Sequence, residues 1–372
     1  MAGSTFGTLF TLSTWGESHG KALGVTVDGC PAGLPLSEED IQRYLDRRKP
    51  GQSRFATPRK EDDTAEILSG VFEGRTTGTP ISLLVRNTSQ KSHDYSEIAG
   101  YYRPGHADYT FDEKYGFRDY RGGGRSSGRE TIGRVAAGAI AAKFLKTLGI
   151  TVQAYTSAIG PVAIDPARFD ADAILLTPTA MPDREASQKA ESYLEECMQR
   201  LDSAGGVVEC RISGVPAGLG SPVFEKLDAV LAGAVMSIGA VKAVEIGDGI
   251  RCAQVNGSEN NDAFYMDNGR VAKRTNHAGG ILGGISDGSL ILLRAHIKPT
   301  PSIFREQSTV NKDGEDITVQ IKGRHDPVIV PRAVVVVEAM AALTIADALL
   351  LNMGSRLDRI AAFYGKELPN KI

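Results

Sequence analysis

Arg121–Gly–Gly–Gly–Arg–Ser–Ser–Gly–Arg–Glu–Thr131 sets three arginines and two serines among four glycines, and it runs directly into the segment Glu130–Leu148. In that segment Ile132, Val135, Ala136, Ala139, Ile140, Phe144 and Leu148 recur at helical spacing, and Gly149 stands where a helix end favours a left-handed residue. Glycine lets neighbouring backbone N–H groups turn toward a ligand. The start of a helix adds partial positive charge at the same place, and arginine adds planar charged forks that match phosphate or carboxylate. The stretch therefore reads as an anion cradle at the head of a helix. Taken alone, the loop is equally compatible with a solvated surface turn.

Outward from this point, short strand-like runs alternate irregularly with helices. Thr8–Leu12, Gly24–Val27, Ile81–Val85, Val152–Tyr155, Val207–Ile212, Ala243–Ile246, Leu290–Ile297 and Ile317–Ile321 are predicted strands, each β-branched or bounded by Gly or Pro. Ser37 is placed to cap a helix with Asp40 completing a capping box; that helix ends at Arg47–Arg48–Lys49–Pro50–Gly51. Arg184–Ala204, Pro222–Met236 and Pro331–Leu350 are further predicted helices. The order is neither regular βαβ nor strands followed by helices. It predicts a mixed α/β (α+β) class with antiparallel sheets, in one domain spanning 1–372.

The 372-residue chain is 41% hydrophobic and 23% charged, an ordinary globular balance. Its net charge of −3 gives no reason to expect nucleic acid or an anionic membrane as a partner. Cations are concentrated locally: seven Lys or Arg lie between Arg43 and Lys60 against one acid, Asp46. The apolar run Val334–Leu351 is interrupted by Glu338 and Asp347, so it reads as a buried core helix and not a membrane span. Four scattered cysteines without a C-x-x-C pair suit a reducing compartment, and the expected location is cytoplasmic.

Three histidines lie in turn-prone loops, where no apolar neighbours would pack around them: His19 in Gly16–Glu–Ser–His–Gly20, His106 in Arg103–Pro–Gly–His–Ala–Asp108, and His325 in Gly323–Arg–His–Asp–Pro327. A loop imidazole near neutrality is suited to protonate a leaving group. Arg48, Arg54, Arg103, Arg125, Arg129 and Arg324 lie in Gly or Pro contexts near these loops and could neutralise a ligand with several negative charges. Lys298–Pro–Thr–Pro–Ser302 adds a phosphate-binding set at a strand end, and Asn276–Gly284 is a glycine-dense turn that lets a flat ligand reach the backbone. A P-loop and a G-x-G-x-x-G between strand and helix are both absent. The residues alone point to an enzyme acting on a small polyanion. A nucleic-acid module on the basic 43–60 segment and a hydrolase built on Ser18 and His19 remain open; the 6% aromatic content weighs against the first and the arginine clusters against the second.

Taken in order, Gly16–Gly20, Arg47–Gly51, Arg103–Asp108, Gly124–Thr131, Asn276–Ile285 and Gly323–Pro327 together resemble the chorismate synthase family over nearly the whole chain. The resemblance implies a layered sandwich of helices and antiparallel sheets with internal pseudo-symmetry, assembled as a homotetramer. It implies a reduced-FMN-dependent anti-1,4-elimination of phosphate from 5-enolpyruvylshikimate 3-phosphate, giving chorismate, with NADPH involved only through flavin reduction by a separate reductase. Carried over by residue, His19 would protonate the departing phosphate, His106 would govern flavin protonation, and Asp326 would work with flavin N5 on the ring proton. Arg48, Arg54, Arg103, Arg129 and Arg324 would hold the substrate. Ser18, Arg125, Ser126, Ser127, Gly239, Ala240, Gly283, Lys298, Pro299, Thr300, Pro301, Ser302 and Arg324 would line the flavin. Gly239 and Pro301 depart from the residues common in relatives, Asn and Ser, the first removing a side-chain contact to flavin and the second one hydroxyl and one N–H.

Overall fold

The computed structural model describes residues 3–51, 53–56, 61–88, 97–321 and 326–368. The first half contains β1 (Thr5–Phe6), β2 (Thr11–Gly16), β3 (Ala22–Asp28), α1 (Glu38–Arg48), β4 (Ala65–Ile67), β5 (Val71–Phe72), β6 (Arg75–Thr76), β7 (Ile81–Arg86), α2 (Asp108–Tyr115) and α3 (Thr131–Thr147). There follow β8 (Thr151–Ile159), β9 (Val162–Ala163), α4 (Ala173–Leu176), α5 (Arg184–Gln199), β10 (Gly206–Ser213), α6 (Leu227–Met236) and β11 (Val241–Ile246). The last part holds α7 (Gly257–Asn260), β12 (Phe264–Asp267), β13 (Arg270–Lys273), β14 (Ile281–Leu282), β15 (Ile285–Ser286), β16 (Ile291–Ile297), β17 (Glu306–Val310), β18 (Asp316–Gln320), α8 (Val330–Asn352) and α9 (Leu357–Phe363).

Two five-stranded antiparallel sheets form, ordered β1-β2-β3-β7-β4 and β11-β16-β10-β8-β9. Alternation sets their faces. In β7, Ile81, Leu83 and Val85 are buried, and in β16 Ile291, Leu293, Ala295 and Ile297 are. The predicted helix at 130–148 is α3, which packs on β2 and β3, while α8 packs on β8 and β10 and the two helices pack on each other. Their contact is close because Gly138 faces Ala339: a Cβ at 138 would lie 2.3 Å from the Ala339 Cβ. Core side chains from both sheets and these helices form one continuous cluster. The Ser37/Asp40 capping box opens α1 as its sequence predicts.

The apolar helix α8 is long enough to cross a membrane by length and composition, but most of it is buried within the protein. Its two acids have partners. Glu338 takes a bidentate pair from Arg47 (2.6 and 3.0 Å) and accepts from the Ala154 N–H (3.1 Å). Asp347 accepts from the N–H groups of Thr8, Leu9 and Phe10. That second set explains a difference from the sequence reading. Thr8–Phe10 spend their donors on a carboxylate instead of a ladder, so the strand expected at Thr8–Leu12 starts at Thr11. The helix expected over Arg184–Ala204 stops at Gln199, with Leu201 left-handed (φ 57°) and the Ala204 N–H donated to Pro327. The β12–β13 hairpin was not expected, although Asp267–Asn268–Gly269 carries its signal; Asn268 and Gly269 both have positive φ.

Candidate active site

The order of the first sheet brings three separated segments to one edge. β2 ends at Gly16, β3 begins at Ala22 opposite Arg86 of β7, and β4 begins at Ala65 beside Val85. The turn 17–21, residues 61–64 and Asn87 therefore meet. Ser18 and His19 in this turn are buried. The Ser18 hydroxyl lies 3.2 Å from both His19 Nδ1 and the Gly122 carbonyl. A carbonyl can only accept, so the consistent arrangement has Ser18 donating to Gly122 and His19 Nδ1–H donating to Ser18, which places a ring proton on Nδ1.

The loop at 121–131 closes over that imidazole. Gly122, Gly123 and Gly124 all take positive φ, and a Cβ at 122 would lie 2.1 Å from His19 Cε1. Only glycine fits there. Two 3-10 turns, Gly124–Ser126 and Gly128–Glu130, lead into α3. Several loop N–H groups are used internally: Ser126 to Gly123, Ser127 to Gly124 and Glu130 to Ser127. The cationic character of the loop therefore resides in its side chains more than in the backbone nest its glycines suggest.

Those side chains are threaded into the fold. Arg129 meets Glu61 and, at 3.2 Å, Asp63, and it donates to Asn87 Oδ1. Arg48, fully buried, pairs with Asp63 at 2.5 Å and reaches the Gly128 carbonyl. Arg332 donates to the Arg48 carbonyl (3.1 Å) and pairs with Asp326 at 2.6 Å. An unbroken set of contacts thus runs from the His19 turn through Asn87, Arg129, Asp63, Arg48 and Arg332 to Asp326. Arg125 turns toward β2, donating to Gly16 and Thr14 carbonyls and to the Thr14 hydroxyl.

A second cluster holds His106. Its Nδ1–H donates to the Pro104 carbonyl (2.9 Å), and the buried Ser302 hydroxyl lies 2.9 Å from Nε2. Burial first, and then the nearby Arg103 charge, push the His106 pKa down to about 4, so the ring is neutral and Ser302 donates to Nε2. Arg103 forks onto Asp108 through Nε and Nη2 (2.7 and 2.8 Å). Lys298 donates through Nζ to Gly105, and its N–H goes to Ala240, itself at φ 73°. Antiparallel pairing of β11 with β16 explains why 239–240 and 298–302 meet, since Val241 lies opposite Ile297.

The sequence matches the chorismate synthase family over residues 10–350. The chain is 69% identical over 366 residues to the chorismate synthase of Agathobacter rectalis, covering 98% of this chain and all of the relative. It is 55% identical to that of Chloroflexus aurantiacus, covering 96% of this chain and 98% of the relative. A solved crystal structure of chorismate synthase superposes with a TM-score of 0.76 at 33% identity, covering 97% of each chain. The chain belongs to the chorismate synthase family. Its reaction is the carbon–oxygen lyase step of that family, loss of phosphate from 5-enolpyruvylshikimate 3-phosphate to give chorismate, in the synthesis of aromatic compounds, and the family works with a reduced flavin.

The residues expected from the chorismate synthase pattern divide into groups. Ser18, His19, Arg48, Arg129 and Asp326 are joined by the contacts above. Arg103, His106, Ala240, Lys298 and Ser302 form the second cluster, with Gly239, Pro299, Thr300 and Pro301 adjoining it in the chain. Pro301 also packs against Gly105, where a Cβ would sit 2.7 Å from the proline Cβ. Ser126 donates to Gly123, and the Ser127 hydroxyl accepts from the Arg129 N–H. Arg54 instead lies against α5, paired with Glu191 and Glu195 at 3.2 and 2.7 Å. Gly283 turns the β14–β15 hairpin, before the start of β16, whereas Lys298–Ser302 follow its end. Arg324 and His325 lie outside the described residues.

Asn87, Asp63, Glu61 and Arg332 were not expected. No local motif marks them, because each acquires its partner only when distant segments meet at the sheet edge.

Proposed function

We propose that phosphate leaves the substrate beside His19, with FMN as the flavin of the second cluster. The observation that carries this reading is the seating of the His19 imidazole against Gly122, with its turn tied through Asn87 to Arg129 and onward to Arg48. Arg48, Arg129 and Arg103, with Arg324, bind and orient the substrate's phosphate and carboxylates. Arg54, in the segment after α1, would join them on leaving its partners Glu191 and Glu195 on α5. His19, protonated on Nε2, gives that proton to the departing phosphate, and Nδ1–H held by Ser18 keeps the ring oriented. Asp326, its carboxylate held by Arg332, takes the ring proton.

The second cluster suits a phosphorylated planar cofactor. The Thr300 hydroxyl is buried without a hydrogen-bond partner, a Cβ at Gly239 would meet open space, and Lys298 adds a cation. Reduced FMN, when bound, supplies electron density during an elimination that involves no net oxidation. Ser18, Arg125, Ser126, Ser127, Gly239, Ala240, Gly283 and Lys298–Ser302 with Arg324 are its proposed contacts, and neutral His106 sets the protonation of its surroundings. NADPH acts through a separate flavin reductase.

The wider reading is one domain over 1–372, a layered sandwich with internal pseudo-symmetry, a homotetramer and a cytoplasmic location. Two five-stranded sheets, each with a helix on its inner face, and four unpaired cysteines support it. The deciding experiment is anaerobic incubation with 5-enolpyruvylshikimate 3-phosphate and reduced FMN. Phosphate release well above a flavin-free control is expected, and release that does not depend on FMN overturns the reading.

A further inference from the structure

Asn87 follows the end of β7, and both atoms of its amide are committed in a single orientation. Nδ2 donates to the carbonyls of Glu17 (3.0 Å) and Gly20 (2.9 Å), and the backbone N–H donates to Lys21 (3.1 Å). These three bonds fasten both ends of the turn that carries Ser18 and His19. Oδ1 accepts from Arg129 Nε and Nη2 at 3.2 and 2.8 Å. A flipped amide would aim its NH2 at a guanidinium and its oxygen at two carbonyls, so the chemistry fixes the orientation. A residue that merely closed the turn would need the carbonyl bonds alone. The contact with Arg129, which shares Asp63 with Arg48, has no part in closing it.

We propose that Asn87 is a positioning residue for the elimination, setting the His19 turn at a fixed separation from the Arg129–Arg48 pair. The inference rests on the reading of His19 as proton donor and Arg129 as substrate ligand. Its physical basis is that displacing a proton donor by about 1 Å costs on the order of 100-fold in rate. Asn87 makes no proton transfer itself and acts through the groups it holds.

The test is a set of four variants of the full chain, assayed anaerobically with reduced FMN: N87D, N87A, H19A and H19A/N87D. Asn87→Asp keeps the shape and the acceptor for Arg129, but loses both Nδ2 donors and sets a carboxylate against two carbonyls. Its kcat is expected to fall about 10- to 100-fold with KM changed less than about threefold. The alkaline limb of its pH profile, where His19 loses the proton it must donate, should move up, since a new carboxylate favours the imidazolium. Asn87→Ala also deprives Arg129 of a partner, so its KM should rise several-fold as kcat falls. If Asn87 works through His19, adding N87D to H19A should cost less than about twofold more. Wild-type kcat in both Asn87 variants, or the full N87D loss repeated in the H19A background, overturns the inference. Wild-type turnover by H19A would instead overturn the reading of His19. Circular dichroism checks the fold, and N87S, which keeps one donor without a charge, replaces N87D in the cycle if N87D does not fold.

Discussion

His106 is held neutral by its surroundings, and this has a consequence for stability. Its folded pKa of about 4 lies below the ordinary histidine value, so between about pH 6.5 and 4 the unfolded chain binds the extra proton. The stabilising contribution is complete above pH 6.5 and is lost as pH falls toward 4. Between pH 7 and pH 5 the loss amounts to roughly 2 kcal/mol. Replacing His106 with Gln should therefore shrink the pH 7 to pH 5 drop in urea-unfolding free energy by about that much; an unchanged drop would show that the ring is protonated in the fold. At this scale the sequence showed which residue types matter and concealed their partners. His19 and His106 stand out in their turns, but the Ser302 that completes His106 lies nearly 200 positions away. Counting arginines likewise missed Asp63, Glu61 and Asp108, which balance them once folded.

Elements were legible wherever periodicity and local chemistry agreed. The Ser37–Asp40 box opened α1, and the apolar spacing of 130–148 became α3. What periodicity could not show is how closely two helices approach. Gly138 on α3 lies so near Ala339 on α8 that an added methyl would stand 2.6 Å from the Ala339 Cα. Alanine is the better helix former by about 1 kcal/mol. The overlap with backbone atoms outweighs that gain, because the helices themselves would have to separate. Gly138→Ala should lower stability by about 1–3 kcal/mol, read as a drop in the urea midpoint at unchanged slope. A rise in the midpoint would mean that the crossing has slack.

At the scale of the molecule, Glu338 joins parts that the sequence keeps far apart. Its carboxylate binds Arg47 at the end of α1 and the Ala154 N–H in β8. One core then runs through both sheets. The single tryptophan, Trp15, sits in β2 and reports on the first sheet, whereas far-UV circular dichroism reports on the whole chain. Unfolding followed by the two probes should coincide. Glu338→Ala should lower both midpoints together, by about 2–4 kcal/mol in free energy, because it strands an arginine and a buried N–H. Two separate transitions would divide the molecule into independent units. The sequence predicted mixed class and antiparallel pairing correctly but not the strand order, since pairing partners such as Ala65 and Val85 carry no local mark of each other.

The helix α8 follows every strand of both sheets along the chain, yet it supplies the inner cover of β8 and β10. During synthesis, Ala154, Val208, Cys210 and Ile212, buried on β8 and β10, therefore leave the ribosome before the helix that covers those strands. The second sheet cannot mature as it emerges. It waits for a segment whose own apolar character, exposed in transit, would attract a chaperone or a neighbouring nascent chain. The late position of α8 makes the final stage of translation the point at which this fold is committed, and a ribosome stalled before residue 330 would release a chain prone to aggregate.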